Sequence, residues 1–526
     1  METEVKQSEV KEENYVEVRD LVTQFFTFKG IVKAIDGIDL SIKRGEVFGL
    51  VGESGCGKSV TATSIMDLVP DPPGRIVRGK IYIDGFNIIS DLDKLAQIKV
   101  KSETNVKVKR NKRLIKRHNY ILSKIRGDKV AMIFQEPFLA LNPVLSIGYQ
   151  IVENIMLHSR IDIINSIIRR ETLGEDGVDE LIQKIVKTKD YDERRRIVNR
   201  WSREYGVPDS DESIYDLINT SEDINYVKKE LLSLLAEEKT GIDLQPLSVA
   251  REYYKADDEL FALNLNLIEA EANRDESEAE HLRQQISQKR SEMRSKFMSF
   301  TIKHKLMRKR MDRPLEKESR RRALELLNLV NIAGPERVID SYPHELSGGM
   351  QQRAMIAMAL AANPKLLIAD EPTTALDVTT QAQILELIKE LNVVTGSSVL
   401  FITHDLAVIA EMCDRVGVMY AGNLVEQTSV KEIFHDPKHP YTMGLMRAIP
   451  RADKKRSADQ KLESIPGTVP NLITPPSGCR FHPRCKFAMD VCSEKKPKLV
   501  EVEPGHKVAC FLYSREYVGE PAGEAQ

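Results

Sequence analysis

Gly52-Glu53-Ser54-Gly55-Cys56-Gly57-Lys58-Ser59 fits G-x-x-x-x-G-K-[ST] at every position. Few short patterns restrict a fold so tightly, because the loop works only between a buried strand and the start of a helix. Glu46-Val47-Phe48-Gly49-Leu50-Val51 reads as that strand, and Val60 onward reads as the helix. Glycines let the backbone wrap around an anion where a Cβ would clash or forbid the torsions. The helix start adds free N–H groups and the positive end of its dipole. Lys58 is placed to pair with β- and γ-phosphates, and Ser59 to ligate Mg²⁺. The bland reading is a chance glycine-rich turn; the flanking strand and helix argue against it.

A second half of the site lies far downstream. Lys365-Leu366-Leu367-Ile368-Ala369-Asp370-Glu371 is an apolar strand ending in two carboxylates. Asp370 at the strand tip suits Mg²⁺, and Glu371 is placed to take a proton from an attacking water. Either one alone could be an ordinary solvated acid. Together with the Lys58 loop they read as a nucleotide-hydrolysing pair.

The rest of the chain sets limits. With 77 Lys+Arg against 79 Asp+Glu, the net charge of −2 excludes a globally basic nucleic-acid binder. No run approaches the roughly 18 apolar residues of a membrane span. The N-terminal METEVKQSEVKEEN is too polar for a secretory signal. Six cysteines in 526 residues make no disulfide scaffold.

Composition divides the chain into four stretches: 1–160, 161–318, 319–440 and 441–526. The first and third alternate strand and helix patterns, the second is charged and helical, and the last is richer in Pro, Gly and Cys. A 4-3 spacing from Phe261 through Leu265, Ile268, Ala272, Asp275, Ala279, Leu282, Ile286, Lys289, Met293 and Lys296 to Phe300 predicts a long helix with a narrow apolar seam. Half of an antiparallel coiled coil would look like this. Its role reads as a plain surface insertion or a docking arm. The basic run from Lys107 to His118 reads as a solvated loop, with acidic lipid contact as the alternative.

Leu346-Ser347-Gly348-Gly349-Met350-Gln351 resembles the signature motif of ABC-type ATPases. The other family motifs follow in order. Gln135 in MIFQEP resembles the Q-loop, Ala375-Leu376-Asp377 the D-loop, and His404 in FITHD the switch histidine. Phe25 stands where the family's adenine-stacking aromatic is expected, with Phe26 and Phe28 as competitors. The longer matches GESGCGKS, LLIADEPTTALDVTTQAQI, HPYTMGLM, IPGTVPNL and SGCRFHPRC resemble the ATP-binding subunits of oligopeptide and dipeptide importers.

The resemblance implies an α/β fold: an ABC-type P-loop nucleotide-binding domain, a helical subdomain carrying a long helical insertion, and a small Cys-containing C-terminal domain. It implies ATP and Mg²⁺ as ligands, with Ser59, Gln135 and Asp370 on the metal. Glu371 would be the general base, with His404 and Gln135 beside it. Leu346, Ser347, Gly348, Gly349 and Met350 would close on a partner subunit's nucleotide, with Asp377 at the seam. The partners implied are a second ABC ATPase, preferably a paralogue, two transmembrane permeases and an extracytoplasmic solute-binding protein, at the cytoplasmic face of the membrane. No nucleic acid is expected. The solute would be a peptide, an oligosaccharide or nickel. Two departures stand out, because the separations from Lys58 to Gln135 and from Gln135 to Ser347 are longer than the family's.

Cys479, Cys485, Cys492 and Cys510 are separated by five, six and seventeen residues, unlike common zinc spacings. Some similar importer subunits hold a [4Fe–4S] cluster on such cysteines, which makes the four a candidate ligand set. His482 and His506 stand nearby, and plain reduced thiols are the alternative. A different class, the SMC-type DNA-repair ATPases, also carries a helical insertion between these motifs. A ribosome-associated ABC protein would need two Lys58-type loops, and an exporter would need fused membrane helices.

Overall fold

The computed structural model describes residues 14–90, 92, 96–102, 105–173, 175–188, 190–205, 224–239, 241–374, 376–448 and 465–514. Most of the polar N-terminus, Ala375 of the D-loop match and the GEPAGEAQ end lie outside them. Contacts divide the chain into two units. One holds the described residues up to Leu141 and from Gly348 onward; the other runs from Asn142 to Ser347.

The first unit contains all the strands among the described residues. In chain order they are β1 (Asn14–Thr27), β2 (Gly30–Lys43), β3 (Val47–Val51), β4 (Gly74–Ile83), β5 (Phe86–Asn87), β6 (Ala96–Ser102), β7 (Asn105–Arg110) and β8 (Val130–Ile133). After the second unit come β9 (Leu366–Asp370), β10 (Ser398–Thr403), β11 (Arg415–Tyr420), β12 (Asn423–Ser429), β13 (Val500–Glu503) and β14 (His506–Val508). The principal sheet has the order β13-β14-β12-β11-β3-β10-β9-β8. Its strands from β8 to β11 run parallel, and β12, β14 and β13 add an antiparallel flank. Strands β3, β8, β9 and β10 are buried at every residue. Parallel strands covered on both faces carry unbroken apolar runs, and VFGLV, VAMI and LLIA are such runs. A separate antiparallel sheet has the order β2-β1-β4-β5.

The helices used below are, in chain order, α1 (Lys58–Ile65), α2 (Lys112–Ile125), α3 (Ile147–His158), α4 (Arg160–Thr172), α5 (Glu175–Lys187), α6 (Tyr191–Tyr205), α7 (Ile224–Glu238), α8 (Gln245–Asn273), α9 (Glu276–Leu329), α10 (Gly348–Leu360) and α11 (Val378–Thr395). Helix α2 corrects the reading of Lys107 to His118 as a solvated loop. That run ends β7 and begins α2. His118, Ile121, Leu122 and Ile125 share one helix face and are buried, and His118 Nε2 lies 2.8 Å from Asp67 Oδ2. The charges are numerous, but their spacing leaves one apolar face.

The second unit is helical. Val178, Leu181, Ile182 and Ile185 of α5 join Val198 and Trp201 of α6 and Val227 and Leu231 of α7 in one core. Arg170 of α4 forms a buried ion pair with Glu318 of α9 at 2.8 Å, and Arg321 reaches the same carboxylate.

The seam expected on one long helix instead spans two. The chain reverses at Arg274, whose φ is +60°, and Asp275 caps α9 by accepting from Glu278 N. α8 and α9 then pack as an antiparallel hairpin, with Leu260, Leu267, Ala270, Ala279, Leu282 and Ile286 in the shared core. On α9 the expected positions Ala279, Leu282, Ile286 and Phe300 are buried. On α8 Leu260, Asn264 and Leu267, each one residue before an expected position, are buried, and of the expected positions themselves Ile268 is buried as well. A reversal breaks the helical phase, so one 4-3 count cannot serve both arms.

Candidate functional site

The site lies at the carboxyl ends of four neighbouring parallel strands. β8 leads to Gln135, β9 ends at Asp370 beside Glu371, β10 leads to His404, and β3 feeds the Lys58 loop. Each strand is short and buried, so its end fixes the residues that follow. Open α/β sheets place ligands in this position.

Gly52 and Gly57 show why the loop demands glycine. Gly52 has φ +154°, and a Cβ there would sit 2.2 Å from Met419 O. Gly57 has φ +107°, and its Cβ would meet Ala34 O at 2.6 Å. The loop is thus wrapped by β2 and the end of β11. Cys56 is buried, and burial raises its thiol above the ordinary range. Lys58 is buried at the start of α1, and its Nζ donates to Gly52 O at 2.8 Å and to Glu53 O at 3.4 Å.

Ser59 Oγ donates to Asp370 Oδ1 at 3.0 Å. Burial raises the pKa of Asp370, and the adjacent Glu371 charge pushes the same way against the Ser59 hydrogen bond. Glu371 occupies the left-handed region at φ +45° and is held there by its N–H donating to Ile402 O at 2.9 Å. That conformation is costly for a non-glycine residue and clusters at functional sites. It turns the carboxylate toward three neighbours. Gln135 Nε2 donates to Oε2 at 3.2 Å, Thr374 Oγ1 donates to the same oxygen at 3.0 Å, and His404 Nδ1 lies 3.5 Å from Oε1. Thr374 was not singled out from sequence; lying three residues past Glu371 is its only signal.

The other expected residues are placed as follows. The Phe25 ring packs against Gly74, Phe26 is 50% exposed and Phe28 is 97% exposed. Ser347 and Gly348 are exposed, and α10 begins at Gly348. Asp377 caps α11, accepting from Thr380 N at 2.9 Å and from Thr380 Oγ1 at 2.7 Å. Those bonds, the backbone one first, hold its carboxyl below the usual range.

Cys479, Cys485, Cys492 and Cys510 line one cavity with His482. Burial pushes the Cys479 thiol up to about 11 and the Cys510 thiol up to about 12, and the neighbouring cysteines add to it. The cavity measures only about 10 Å³, room for about one water. Among the described residues no group of three or more His, Cys, Asp or Glu side chains is spaced to hold a metal ion. The expected [4Fe–4S] cluster is therefore not supported: the four thiols line one cavity too small for a cube of iron and sulfide, and they are not grouped as metal ligands. His506 is turned elsewhere, with Nε2 2.7 Å from the buried Glu426.

A family model described as ABC transporter matches residues 35–216 and 263–374. One described as oligopeptide/dipeptide transporter, C-terminal region, matches residues 425–492. A probable peptide ABC transporter ATP-binding protein of Sinorhizobium fredii is 34% identical over 96% of this chain and 97% of its own length. The chain belongs to the ATP-binding proteins of ABC transporters. Two Bacillus subtilis proteins named oligopeptide transport ATP-binding proteins are similar to this ABC ATPase. One is 32% identical over 94% of this chain and 88% of its own length, the other 34% over 95% and 97%. The ABC cassette fold and ATP hydrolysis follow from membership, and with them the use of ATP and Mg²⁺. The SMC-type alternative is unsupported, because both the tail model and the relatives are those of transporters. No described helix of this ABC ATPase is long and apolar enough to cross a membrane.

Proposed function

We propose that this ABC ATPase energises the import of peptides, working from the cytoplasmic face of the membrane on two permease subunits, with a paralogous second ATPase and a solute-binding protein. Support comes from the transporter tail model over residues 425–492 and from relatives named for peptide and oligopeptide transport. The long α8–α9 hairpin is proposed as an insertion in the helical subdomain, and the Cys-bearing segment as a small C-terminal domain.

The observation that carries the catalytic reading is the Glu371 carboxylate between Gln135 and His404, one residue from the Ser59–Asp370 pair. Gly52 to Gly57 cradle the phosphates with backbone N–H groups, and Lys58 pairs with their charge. Ser59, Asp370 and Gln135 are hard oxygen donors suited to Mg²⁺, which would neutralise phosphate charge when bound. Glu371 accepts the proton of the attacking water, held in place by Gln135 and Thr374. His404 neighbours the γ-phosphate, and the segment Leu346 to Met350 closes on the partner's nucleotide. Glu371→Gln keeps the shape and removes the base. Turnover should fall by about 10²–10⁴-fold while ATP still binds. Turnover within a fewfold of the parent would remove Glu371 from this role.

For the four thiols, convergence on one cavity supports a shared ligand, and the cavity's size opposes a preformed four-iron site. A bound metal would have to displace the thiol protons and widen the cavity. Iron and acid-labile sulfide in anaerobically purified protein decide this. A full complement of both, with absorbance near 400 nm, would carry the cluster; zinc or neither would end it.

A further inference from the structure

We propose that Arg484 is a positioning residue for the phosphate loop, holding Glu53 from outside through a bidentate ion pair. The proposal rests on the reading of the Lys58 loop as the nucleotide site. Arg484 lies in the short turn His482–Arg484, more than 400 positions from the loop in sequence. Its Nη1 donates to Glu53 Oε2 at 2.9 Å, and its Nη2 to Glu53 Oε1 at 3.2 Å. The guanidinium is itself fixed: Nε donates to Pro466 O at 2.8 Å, and Nη1 also reaches Tyr420 Oη at 3.2 Å. Its side chain is only 7% exposed.

A second contact grips the same residue. Glu53 N donates to Tyr441 Oη at 3.0 Å. Tyr441 is fully buried and packs on Tyr420, with ring centroids 4.6 Å apart, and on Phe481. Glu53 is therefore held at both its backbone and its carboxylate by residues of the tail and of the segment leading into it. The Gly52 and Glu53 carbonyls are the ones that Lys58 Nζ meets. Three glycines at positive φ give the loop many other conformations. Fixing Glu53 removes much of that freedom before nucleotide arrives, and preorganisation of this kind strengthens binding. The planar fork of arginine matches a carboxylate at two points, which lysine cannot do.

The test is a double-mutant cycle on the full chain. Affinity for a fluorescent ATP analogue with Mg²⁺ is measured beside steady-state turnover and thermal unfolding. Arg484→Ala should raise Kd and KM for ATP about tenfold, with kcat within about twofold of the parent, and Glu53→Ala should raise Kd at least as much. The double variant should be no worse than Glu53→Ala alone. Arg484→Lys should recover part of the affinity, and it carries the test if Arg484→Ala does not fold. Unchanged Kd in the Arg484 variants, or fully additive effects, would overturn the proposal. Lys58→Ala serves as the separate arm. If it binds the analogue like the parent, the reading of the loop as the nucleotide site fails, whatever Arg484 does.

Discussion

Asp370 bears its charge where burial opposes it. Its raised pKa means that the folded chain holds that proton more tightly than the unfolded chain does. Stability from this group is therefore greatest below the ordinary carboxylate range and is lost as pH rises through the raised value. At neutral pH the full penalty is present. Asp370→Asn keeps an acceptor for Ser59 and removes the charge. Without Mg²⁺ and nucleotide it should melt about 1–3 °C higher at pH 7, and the gain should shrink toward pH 4. A gain independent of pH would refute the burial argument. The same substitution should weaken Mg²⁺-dependent nucleotide binding, so stability and function pull in opposite directions at one atom pair. Glu371, the next residue, is likewise strained by its backbone. Sequence pointed to both acids because they end an apolar strand. It did not show Arg484 on Glu53, since such a pair depends on how distant segments meet, and it did not show Thr374 on Glu371, since that local contact depends on the backbone turn at Glu371.

At the scale of elements, buried strands were the most legible. VFGLV and LLIA are apolar throughout, and a strand covered on both faces needs nothing subtler. The helical hairpin was legible in kind and misread in phase. Arg274 is neither glycine nor proline, and the one local signal of the break is Asp275 with Glu278 three residues on, the start pattern of a new helix. The 4-3 count therefore ran through the reversal. The corrected register gives a direct contrast. Leu267 is buried in the hairpin core, whereas Leu265, on the expected seam, is only partly covered. Leu267→Ala should destabilise the hairpin by about 2–4 kcal/mol, and Leu265→Ala by clearly less. Hydrogen exchange along α8 and α9 measures both. Equal effects would return the seam to its expected position. α9 runs through Pro314 to Leu329, past residue 318 where composition placed the end of the insertion.

For the whole molecule, the constraint is that the catalytic half-site and the signature serve different nucleotides in the proposed assembly. Glu371→Gln with ATP should therefore accumulate a dimer, with a second copy or with the paralogue, visible by size-exclusion chromatography. Adding Ser347→Arg should abolish it, because a bulky cation would replace the small residue that opens α10. A dimer that survives Ser347→Arg, or that forms equally without nucleotide, would contradict the head-to-tail arrangement.

Sequence alone determined the nucleotide loop, the carboxylate pair and the order of motifs. Each is a local pattern in which residue type and spacing carry the chemistry. Tertiary structure decided what those patterns meet. It set Gln135 and His404 around the Glu371 carboxylate, because three strands with dispersed sequences end side by side. It reversed the helical seam and narrowed the cysteine cavity to the size of a water. It also brought Arg484 onto Glu53, an ion pair that depends on the tail folding back against the sheet.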